Sequence, residues 1–493
     1  MSPDKGTLVG ANEKNTWSDV ETGSNVSSGS WTKRLLKLGV EVRGIRPVPE
    51  LERTDPQYSK IFFIWFSANF NILSFSAGTL GPVVFGLGLR DTCLTIVFFQ
   101  LLCCLPPAYL STWGPKLGMR QMIISRYAFG YYGVILPCIM NLIGMTGFSI
   151  LNSILGGQAL ASVTTSLSWS VGIVVIAVIS LLVSFCGYKV LNWYERVAWI
   201  PVLITFIIAL GVGGKHFTSP PPAEPATAGA ILSFASTLAG FSVTWSALSS
   251  DFTAYLKPQV ASWKIFCYSY LGLIIPIILL QCLGAAAAVA ASVVPEWEEA
   301  YTGGNVGGLL EAMLRPAGNF GKFLTVLLSL SVAANIAATF YCISLNIQVF
   351  MPFFVVVPRY VFSIVATAIV VPLAIVGAHR FYDAIVNFLG LIGYWASAFV
   401  AIVMLEHIVI RKNNFAMYDV EAWDIPSRLP SGLAALGAGI LSFGLVIPCM
   451  EQVWFVGPIA KTTGDIGFEV AFAVSAVLYL PFRWLEIKWR GMR

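Results

Sequence analysis

The residues best suited to chemistry in this sequence are an aromatic ring and an amide four positions apart. At that spacing Phe148 and Asn152 lie on the same face of a helix. The ring offers a surface for stacking, and the amide offers both a hydrogen-bond donor and an acceptor. The pair is therefore suited to hold a flat heterocycle, although one such pair is weak evidence when taken alone.

Acidic residues in apolar stretches form a second group of candidates, because a carboxylate is costly inside a membrane and usually functional there. Asp383 and Glu406 lie within one apolar stretch, and Glu195 and Asp251 lie at the ends of others. Glu195 has two equally weighted interpretations, a functional carboxylate or a cap that favours the start of a helix. Amides also occur in apolar stretches, and most are expected to be structural: Asn69, Asn71, Asn141, Asn152, Asn335, Asn346 and Asn387.

Two apolar stretches contain runs that are expected to interrupt a regular helix. Residues 74–82 carry two glycines and a proline, and residues 240–251 are rich in small hydroxyl residues. The backbone expected at the two interruptions is that of Gly78, Gly81, Gly240 and Ser246. Interrupted helices at matching places in two halves are typical of a transporter binding site. Close packing of small residues between helices is the alternative explanation.

The composition places these candidates in a membrane. Of the 493 residues, 57% are apolar or aromatic and only 11% are charged, whereas a soluble domain carries about 25% charged residues. These values exclude an ordinary soluble globule and a disordered scaffold. The net charge of +5 gives no reason to expect nucleic-acid binding. The nine cysteines show no CxxC spacing and the three histidines are scattered, so no disulfide framework or metal site is expected.

The apolar stretches predict an all-α integral membrane protein with twelve transmembrane helices, since about 20 residues cross a hydrocarbon core of about 30 Å. The spans are expected at about 61–89, 92–114, 134–163, 170–187, 196–214, 229–249, 262–290, 323–351, 359–378, 382–408, 431–449 and 465–482. With a cytoplasmic N-terminus, 24 of the 30 lysines and arginines lie inside and 6 outside. This asymmetry predicts that both termini are cytoplasmic.

The spans divide the chain into five regions. In order, these are a disordered cytoplasmic tail, a first group of five spans, a second group of five, two further spans and a short cytoplasmic tail, at residues 1–60, 61–215, 229–408, 431–482 and 483–493. A proline-rich connection, residues 215–228, separates the two groups of five. In the longest external loop, residues 306–314 are expected to form a short surface helix.

Four segments resemble one known family. Residues 114–130, GPKLGMRQMIISRYAFG, are similar to the cytoplasmic loop signature of the purine-cytosine permease branch of the nucleobase:cation symporters. Residues 74–90, 192–196 and 250–255 resemble the first span, the start of the fifth span and the end of the sixth span of that family. The likeness covers about residues 50–480 in one register and is greatest to the fungal members.

The resemblance implies a LeuT-like fold, in which a 5+5 inverted repeat is followed by two extra helices. It also implies import of a planar nitrogenous base by proton symport. By motif position, the substrate-binding side chains of the family fall on Ser74, Phe148, Asn152, Glu195 and Trp245. The family usually has tryptophan where this chain has Phe148.

The eighth span departs from the family pattern. The family usually shows Asn-Asn-x-Pro-Asn there, whereas residues 334–338 read ANIAA and keep one candidate substrate-binding amide, Asn335. A site that lacks hydrogen-bonding groups binds a polar base less well. Vitamin B6, allantoin or a secondary metabolite are therefore alternative substrates, and a non-transporting sensor on the same fold is an alternative function.

Coupling to protons is expected to involve Glu195, since burial favours the neutral form of a carboxyl group. Sodium coupling is the alternative, with oxygen ligands from Ser331 and Thr339. No cofactor is expected, and the absence of a nucleophile–base pair or a phosphate-binding loop argues against an enzyme. The resemblance implies a plasma-membrane location. The expected partners are a small heterocyclic substrate and the lipid bilayer, and the oligomeric state stays open.

Overall fold

The computed structural model describes residues 44–185, 187–218, 220–351, 353–354, 357 and 359–491, without the side chains of residues 187–195 and 359. Almost all regular structure in this part of the chain is helical. The helices, numbered in chain order, are α1 Lys60–Asn69, α2 Ile72–Val83, α3 Leu89–Cys103, α4 Leu105–Ser111, α5 Trp113–Leu117, α6 Gln121–Gly133, α7 Ile135–Ser162, α8 Trp169–Phe185, α9 Gly187–Gly213, α10 Ala228–Val243, α11 Ser262–Ala291, α12 Pro295–Tyr301, α13 Val306–Leu314, α14 Gly318–Leu330, α15 Val332–Phe350, α16 Arg359–Gly377, α17 Phe381–Leu405, α18 Leu433–Cys449, α19 Ala460–Thr463 and α20 Gly467–Arg490. Strands β1 (Glu451–Gln452) and β2 (Phe455–Val456) pair as an antiparallel hairpin between α18 and α19.

Many of these helices are suited to a bilayer. Within the described residues, eight helical stretches are long and apolar enough to cross a membrane, or nine if the bent pair α1 and α2 counts as one span. Two shorter apolar helices are α8 and α18. All twelve predicted apolar stretches fall largely on helical residues, while the number of membrane crossings stays a prediction.

The prediction that residues 1–60 form a disordered tail is wrong for the C-terminal part of this segment. Residues 1–43 lie outside the described part of the chain, but the segment from Gly44 onward is packed against the protein. The Val48 amide donates to the carbonyl oxygen of Gly118 at 2.7 Å, and Arg53 Nη1 donates to that of Pro115 at 2.8 Å. These bonds satisfy backbone groups of the α5–α6 connection, so this segment is part of the fold.

The first membrane helix is broken, and the break lies at Phe70 and Asn71. Helices α1 and α2 meet there at an angle of 53°. The Asn71 side chain caps α2, because its Oδ1 accepts hydrogen bonds from the amides of Leu73 at 2.9 Å and Ser74 at 3.2 Å. An asparagine cap therefore satisfies amides that the break would otherwise leave unpaired inside the membrane.

The prediction that Gly78 and Gly81 form the interruption is wrong, because both lie within the regular helix α2. A Cβ atom at Gly78 would overlap the Gln281 carbonyl oxygen of α11, and one at Gly81 would overlap Thr92 of α3. In return, a Cβ at Gly284 of α11 would overlap the carbonyl oxygen of Phe75. These glycines therefore allow close contact between helices, which is the explanation that the sequence left as the alternative.

The second predicted interruption is a change of helix type. Helix α10 ends at Val243 and continues as a 3₁₀ helix, Thr244–Phe252, without a sharp bend. Ser246 lies in this 3₁₀ segment, and its buried hydroxyl has no hydrogen-bond partner. Gly240 lies in α10 itself, so its assignment to the interruption is wrong. A Cβ at Gly240 would overlap the Leu389 carbonyl oxygen of α17.

Replacing Gly240 by alanine is expected to lower the free energy of unfolding by about 1–3 kcal/mol, because the new methyl group must push two helix backbones apart. Gly444→Ala is the matched control, since Gly444 also lies in a helix and a Cβ there would meet nothing within 4 Å. Thermal unfolding of the purified proteins in detergent measures both. Equal melting temperatures would contradict the close contact between α10 and α17.

The predicted helix at residues 306–314 is present as α13, but it is buried. Its N-cap is Asn305, whose Oδ1 accepts from the Gly308 amide at 2.9 Å. A Cβ at Gly307 would overlap the backbone of Ala159 in α7. The expectation of a surface helix is wrong because Gly307 lets the two backbones meet.

Candidate functional site

Two aromatic rings face each other where α7 passes the 3₁₀ segment. The ring centroids of Phe148 and Trp245 are 6.5 Å apart, and the ring planes are 14° from parallel. A planar molecule between two rings needs about 3.5 Å on each face, or about 7 Å in all. The centroid distance is close to this value, and the ring planes are nearly parallel.

Neighbouring rings hold this pair in orientation. Phe388 of α17 meets Phe148 edge-on at 5.2 Å, and Trp65 of α1 meets Trp245 edge-on at 5.3 Å. Edge-to-face contacts of this kind are favourable because the positive edge of one ring meets the negative face of the other. Residues from α1, α7, α17 and the 3₁₀ segment thus fix the two faces.

A small cavity of about 20 Å³ lies beside the ring pair. Its walls come from α7, the 3₁₀ segment, α15 and α17, and they consist of Asn141, Gly144, Met145, Phe148, Thr244, Trp245, Leu248, Ala338, Thr339 and Trp395. The walls are mainly apolar and aromatic with a few polar groups, which is the usual character of a small-molecule site.

The cavity contains several groups that the sequence interpretation missed as site residues. Trp395 of α17 carried no sequence signal apart from being aromatic, and its place in the cavity depends on how α17 packs. The indole N–H groups of Trp245 and Trp395 are both buried without a hydrogen-bond partner. Asn141 was noted only as one of several membrane amides, and its Nδ2 donates to Asn346 Oδ1 at 3.0 Å.

The predicted amides Asn152 and Asn335 belong to a chain of hydrogen bonds. Asn152 Nδ2 donates to the Phe148 carbonyl oxygen at 2.9 Å and to Asn335 Oδ1 at 3.0 Å. Asn335 Nδ2 in turn donates to the Ala68 carbonyl oxygen at 2.7 Å, beside the break in the first helix. Among the polar side-chain atoms of Asn152 and Asn335, only Asn152 Oδ1 is buried without a hydrogen-bond partner. Neither residue lines the cavity, so their main contacts connect α7, α15 and the break.

Ser74 also lies at the break and not on the cavity wall. Its hydroxyl donates to the carbonyl oxygen of Asn69 across the two non-helical residues. The hydroxyl of Ser331 accepts from the Ile72 amide at 3.3 Å, and that of Thr339 donates to the Asn335 carbonyl oxygen at 2.7 Å. Both oxygens that were considered for sodium thus have protein partners. No cluster of three His, Cys, Asp or Glu side chains suited to a metal occurs among the described residues.

The four acidic candidates have different environments. The Glu195 side chain lies outside the described part of the chain. Asp383 is exposed, and Asp251 Oδ1 accepts from the Gln121 amide at 2.8 Å. Glu406 is 1% exposed and forms ion pairs with two arginines, which indicates a structural role. None of the three described acids lies on the cavity wall.

Hydroxyl groups of three helices meet at one place in the fold. Tyr301 of α12 and Tyr382 of α17 are hydrogen-bonded through their hydroxyl groups, and Tyr382 Oη lies 3.4 Å from Thr79 Oγ1 of α2. A Cβ at Gly304 would lie 2.8 Å from the Tyr382 ring. The loop between α11 and α14 is thereby tied to α2 and α17.

A broken membrane helix beside a cavity with parallel aromatic rings is typical of secondary transporters. A sequence profile of the family described as "Permease for cytosine/purines, uracil, thiamine, allantoin" matches residues 47–470. The chain therefore belongs to this permease family, as the resemblance predicted. Its relatives are permeases and not enzymes.

Individual relatives cover nearly the whole chain. It is 37% identical over 461 residues to the purine-cytosine permease fcyB of Emericella nidulans, covering 92% of this chain and 90% of fcyB. It is 29% identical over 523 residues to the vitamin B6 transporter TPN1 of Saccharomyces cerevisiae, covering 94% and 90%. Its fold resembles that of Mhp1, a nucleobase-cation-symport-1 family transporter in a closed conformation with bromovinylhydantoin bound, with a TM-score of 0.71, 15% identity and coverage of 92% and 97%.

Proposed function

We propose that the protein imports a planar nitrogen heterocycle by alternating access, together with a proton. The single observation that carries this proposal is the parallel pair Phe148 and Trp245, 6.5 Å apart beside the cavity. A flat ring between them gains stacking energy of about 0.5–1.5 kcal/mol per aromatic contact beyond the buried area. Stacking alone selects only for flatness, so polar groups must provide the rest of the specificity.

The proposed arrangement in the membrane is twelve spans, with a 5+5 inverted repeat and two extra helices. In this arrangement both termini lie in the cytoplasm, and the protein is located in the plasma membrane. The support is the distribution of lysine and arginine, together with the likeness to Mhp1 in fold. In this orientation the Tyr301–Tyr382 contact lies on the outer side of the cavity and Asn141–Asn346 lies on the inner side.

The first substrate class is a nucleobase, as in the name of fcyB. Nucleobases carry ring nitrogens and carbonyl oxygens that accept hydrogen bonds. The indole N–H groups of Trp245 and Trp395 are buried donors without partners, and leaving such groups unpaired costs about 1–3 kcal/mol each. A bound base that accepts from them offsets this cost.

The second substrate class is a different planar heterocycle such as vitamin B6. The observation that favours it is that the one amide retained in the altered eighth span, Asn335, is engaged with Asn152 and Ala68. It therefore has little capacity to bind the polar edge of a base. The relative TPN1 is a vitamin B6 transporter.

Uptake tests separate these possibilities. The chain is produced in a host that lacks its own base and vitamin B6 permeases, and radiolabelled cytosine, adenine and pyridoxine are each supplied. Saturable uptake of one of them supports the proposal and identifies the class. Binding without uptake by the purified, membrane-reconstituted protein would instead indicate a sensor. Replacing external sodium by choline distinguishes proton from sodium coupling.

Replacing Glu195 by glutamine is expected to remove the stimulation of uptake by an inward proton gradient, because glutamine cannot carry the coupled proton. Exchange of labelled for unlabelled substrate, which needs no gradient, is expected to continue. Vesicles with an imposed gradient, with and without a protonophore, provide the measurement. A variant that is driven by the gradient as strongly as the wild type would remove Glu195 from coupling.

A further inference from the structure

A buried carboxylate lies away from the cavity, at the end of the molecule that the proposed topology places outside. Asp465 is located between α19 and α20 and is 3% exposed. Its carboxylate accepts hydrogen bonds from the Tyr394 hydroxyl, from Gln452 Nε2 at 3.4 Å and from the Gly467 amide at 2.9 Å. No lysine or arginine among the described residues forms an ion pair with it.

Three further contacts show that the segment around Asp465 joins separate parts of the fold. The Asp465 amide donates to Ser233 Oγ of α10 at 2.8 Å, and Ser233 Oγ donates to Glu451 Oε2 on the hairpin at 2.8 Å. Ser397 of α17 donates to the Phe468 carbonyl oxygen of α20 at 2.8 Å. The exposed side chain of Glu451 brings this cluster within reach of external water.

A second observation points to a proton as the ligand. Gln452 is 3% exposed, and its Nε2 donates to the Tyr394 hydroxyl at 2.7 Å, but its Oε1 has no partner. The cluster therefore contains a buried acceptor that is unused while Asp465 is ionised. A Cβ at Gly390 would overlap Gln452 Nε2, so the glycine makes room for this amide.

We propose that Asp465 is a proton-binding site whose protonation favours closure of α17 over the occupied cavity. This proposal rests on the proposed transport function and adds the group that responds to external acid. The proton comes from external water and binds to a carboxylate oxygen of Asp465. The protonated group donates to the Tyr394 hydroxyl, and a half-turn of the Gln452 amide lets that hydroxyl donate to Oε1.

The direction of the pH effect follows from burial. Burial raises the pKa of Asp465, while hydrogen bonds from Tyr394 and from the backbone oppose part of that rise. When α17 moves away and water reaches the carboxylate, its pKa falls toward the ordinary value. The closed arrangement binds the proton more tightly, so acid stabilises it and rising pH weakens it.

The titratable groups that face Asp465 do not offset its charge. They are Tyr394 on α17, Glu451 on the hairpin, Glu469 on α20 and Cys449 on α18. Helix α10 contributes Ser233, which does not titrate in this range. The neighbouring carboxylates disfavour a second negative charge, which again favours protonation of Asp465.

Two adjacent residues of α17 connect Asp465 to the substrate cavity. Tyr394, which donates to Asp465, directly precedes Trp395 on α17, and Trp395 lines the cavity. Protonation of Asp465 is therefore expected to lower the apparent substrate constant. This effect depends on external pH and not on the size of the proton gradient, which distinguishes Asp465 from Glu195.

The test compares the wild type with Asp465→Asn, Tyr394→Phe and the exposed control Asp383→Asn. Infrared difference spectra of substrate-free purified protein, recorded across pH, report the protonated carboxyl group. The wild type and Tyr394→Phe are expected to show its C=O band on acidification, and Asp465→Asn is expected to lack one band. A complete set of bands in Asp465→Asn would overturn the assignment, whether or not a substrate has been identified.

Uptake tests the connection to α17. Between about pH 5 and pH 7.5 outside, the apparent substrate constant of the wild type is expected to rise about tenfold. In Asp465→Asn and Tyr394→Phe it should change clearly less than in the wild type, while Asp383→Asn follows the wild type. A wild-type pH profile in Asp465→Asn would overturn the proposal. Failure to transport any heterocycle would overturn the proposed function alone, because the infrared result does not depend on transport.

Discussion

Replacing Trp245 by alanine is expected to raise the apparent substrate constant about 30-fold while the protein still reaches the membrane. The change removes one of the two parallel ring faces, 6.5 Å from Phe148, together with an unpartnered indole N–H at the cavity wall. A stacking contact and one hydrogen bond together are worth about 2 kcal/mol, which corresponds to about 30-fold in affinity. Uptake kinetics at matched surface expression measure the constant.

Two further variants make this result specific. Trp245→Phe keeps a ring face and loses the N–H, so its constant should lie between those of the wild type and the alanine variant. Trp454→Ala is the control for loss of a tryptophan, since Trp454 is 65% exposed on the hairpin. Wild-type kinetics in Trp245→Ala would show that the substrate site lies elsewhere.

Replacing Glu406 by glutamine is expected to cause the largest loss of stability. Its carboxylate accepts from Arg411 Nε at 3.0 Å, from Arg483 Nε at 3.0 Å and from the Tyr479 hydroxyl at 2.7 Å. Glutamine has nearly the same shape but no charge, so two buried guanidinium groups lose one ion-pair partner, while Arg483 keeps its ion pair with Glu486. Breaking a buried ion pair in this way costs about 3–5 kcal/mol.

Thermal unfolding in detergent and the amount of protein at the cell surface report this loss. Asp419→Asn is the matched control, because Asp419 and its partner Arg428 are about half exposed. An exposed pair is worth about 0–1 kcal/mol, so that variant should melt close to the wild type. If Glu406→Gln also melted with the wild type, the cluster would not be a stabilising feature of the fold.

The two rings of the candidate site could be proposed from the sequence. The resemblance pointed to Phe148 and Trp245 although they are almost a hundred residues apart, and the structure brings them face to face. It also pointed to Asn152, Asn335 and Ser74, which the structure places around the broken helix. The structure places these residues in one region, but motif position could not distinguish residues of the cavity wall from residues that support it.

The position of the break was misread for a physical reason. Glycine and proline indicate a helix interruption only where no neighbouring helix packs into the space beside the small residue. The sequence does not show whether such a neighbouring helix is present. At Gly78 the neighbour is the backbone of Gln281. The actual break depends on Asn71, which was treated as one of several membrane amides. An asparagine shortly before a helix that contains Gly78 is a capping signal that the sequence did contain.

Trp395 and Asp465 show what sequence alone cannot provide. The first contributes to the cavity because α17 crosses beside the 3₁₀ segment, and the second meets Tyr394 because the start of α20 packs against α17. Both arrangements depend on contacts between residues far apart in the chain. Periodicity and spacing describe each element separately and therefore do not predict them.

The reciprocal glycine contacts between α2 and α11 restrict which helices can move independently. At Gly78 and at Gly284 the backbone of one helix lies directly against a carbonyl oxygen of the other. If α2 tilted without α11, a carbonyl oxygen of one helix would collide with the backbone of the other. Any rotation of α2 at the break at Phe70 and Asn71 is therefore expected to move α2 and α11 together.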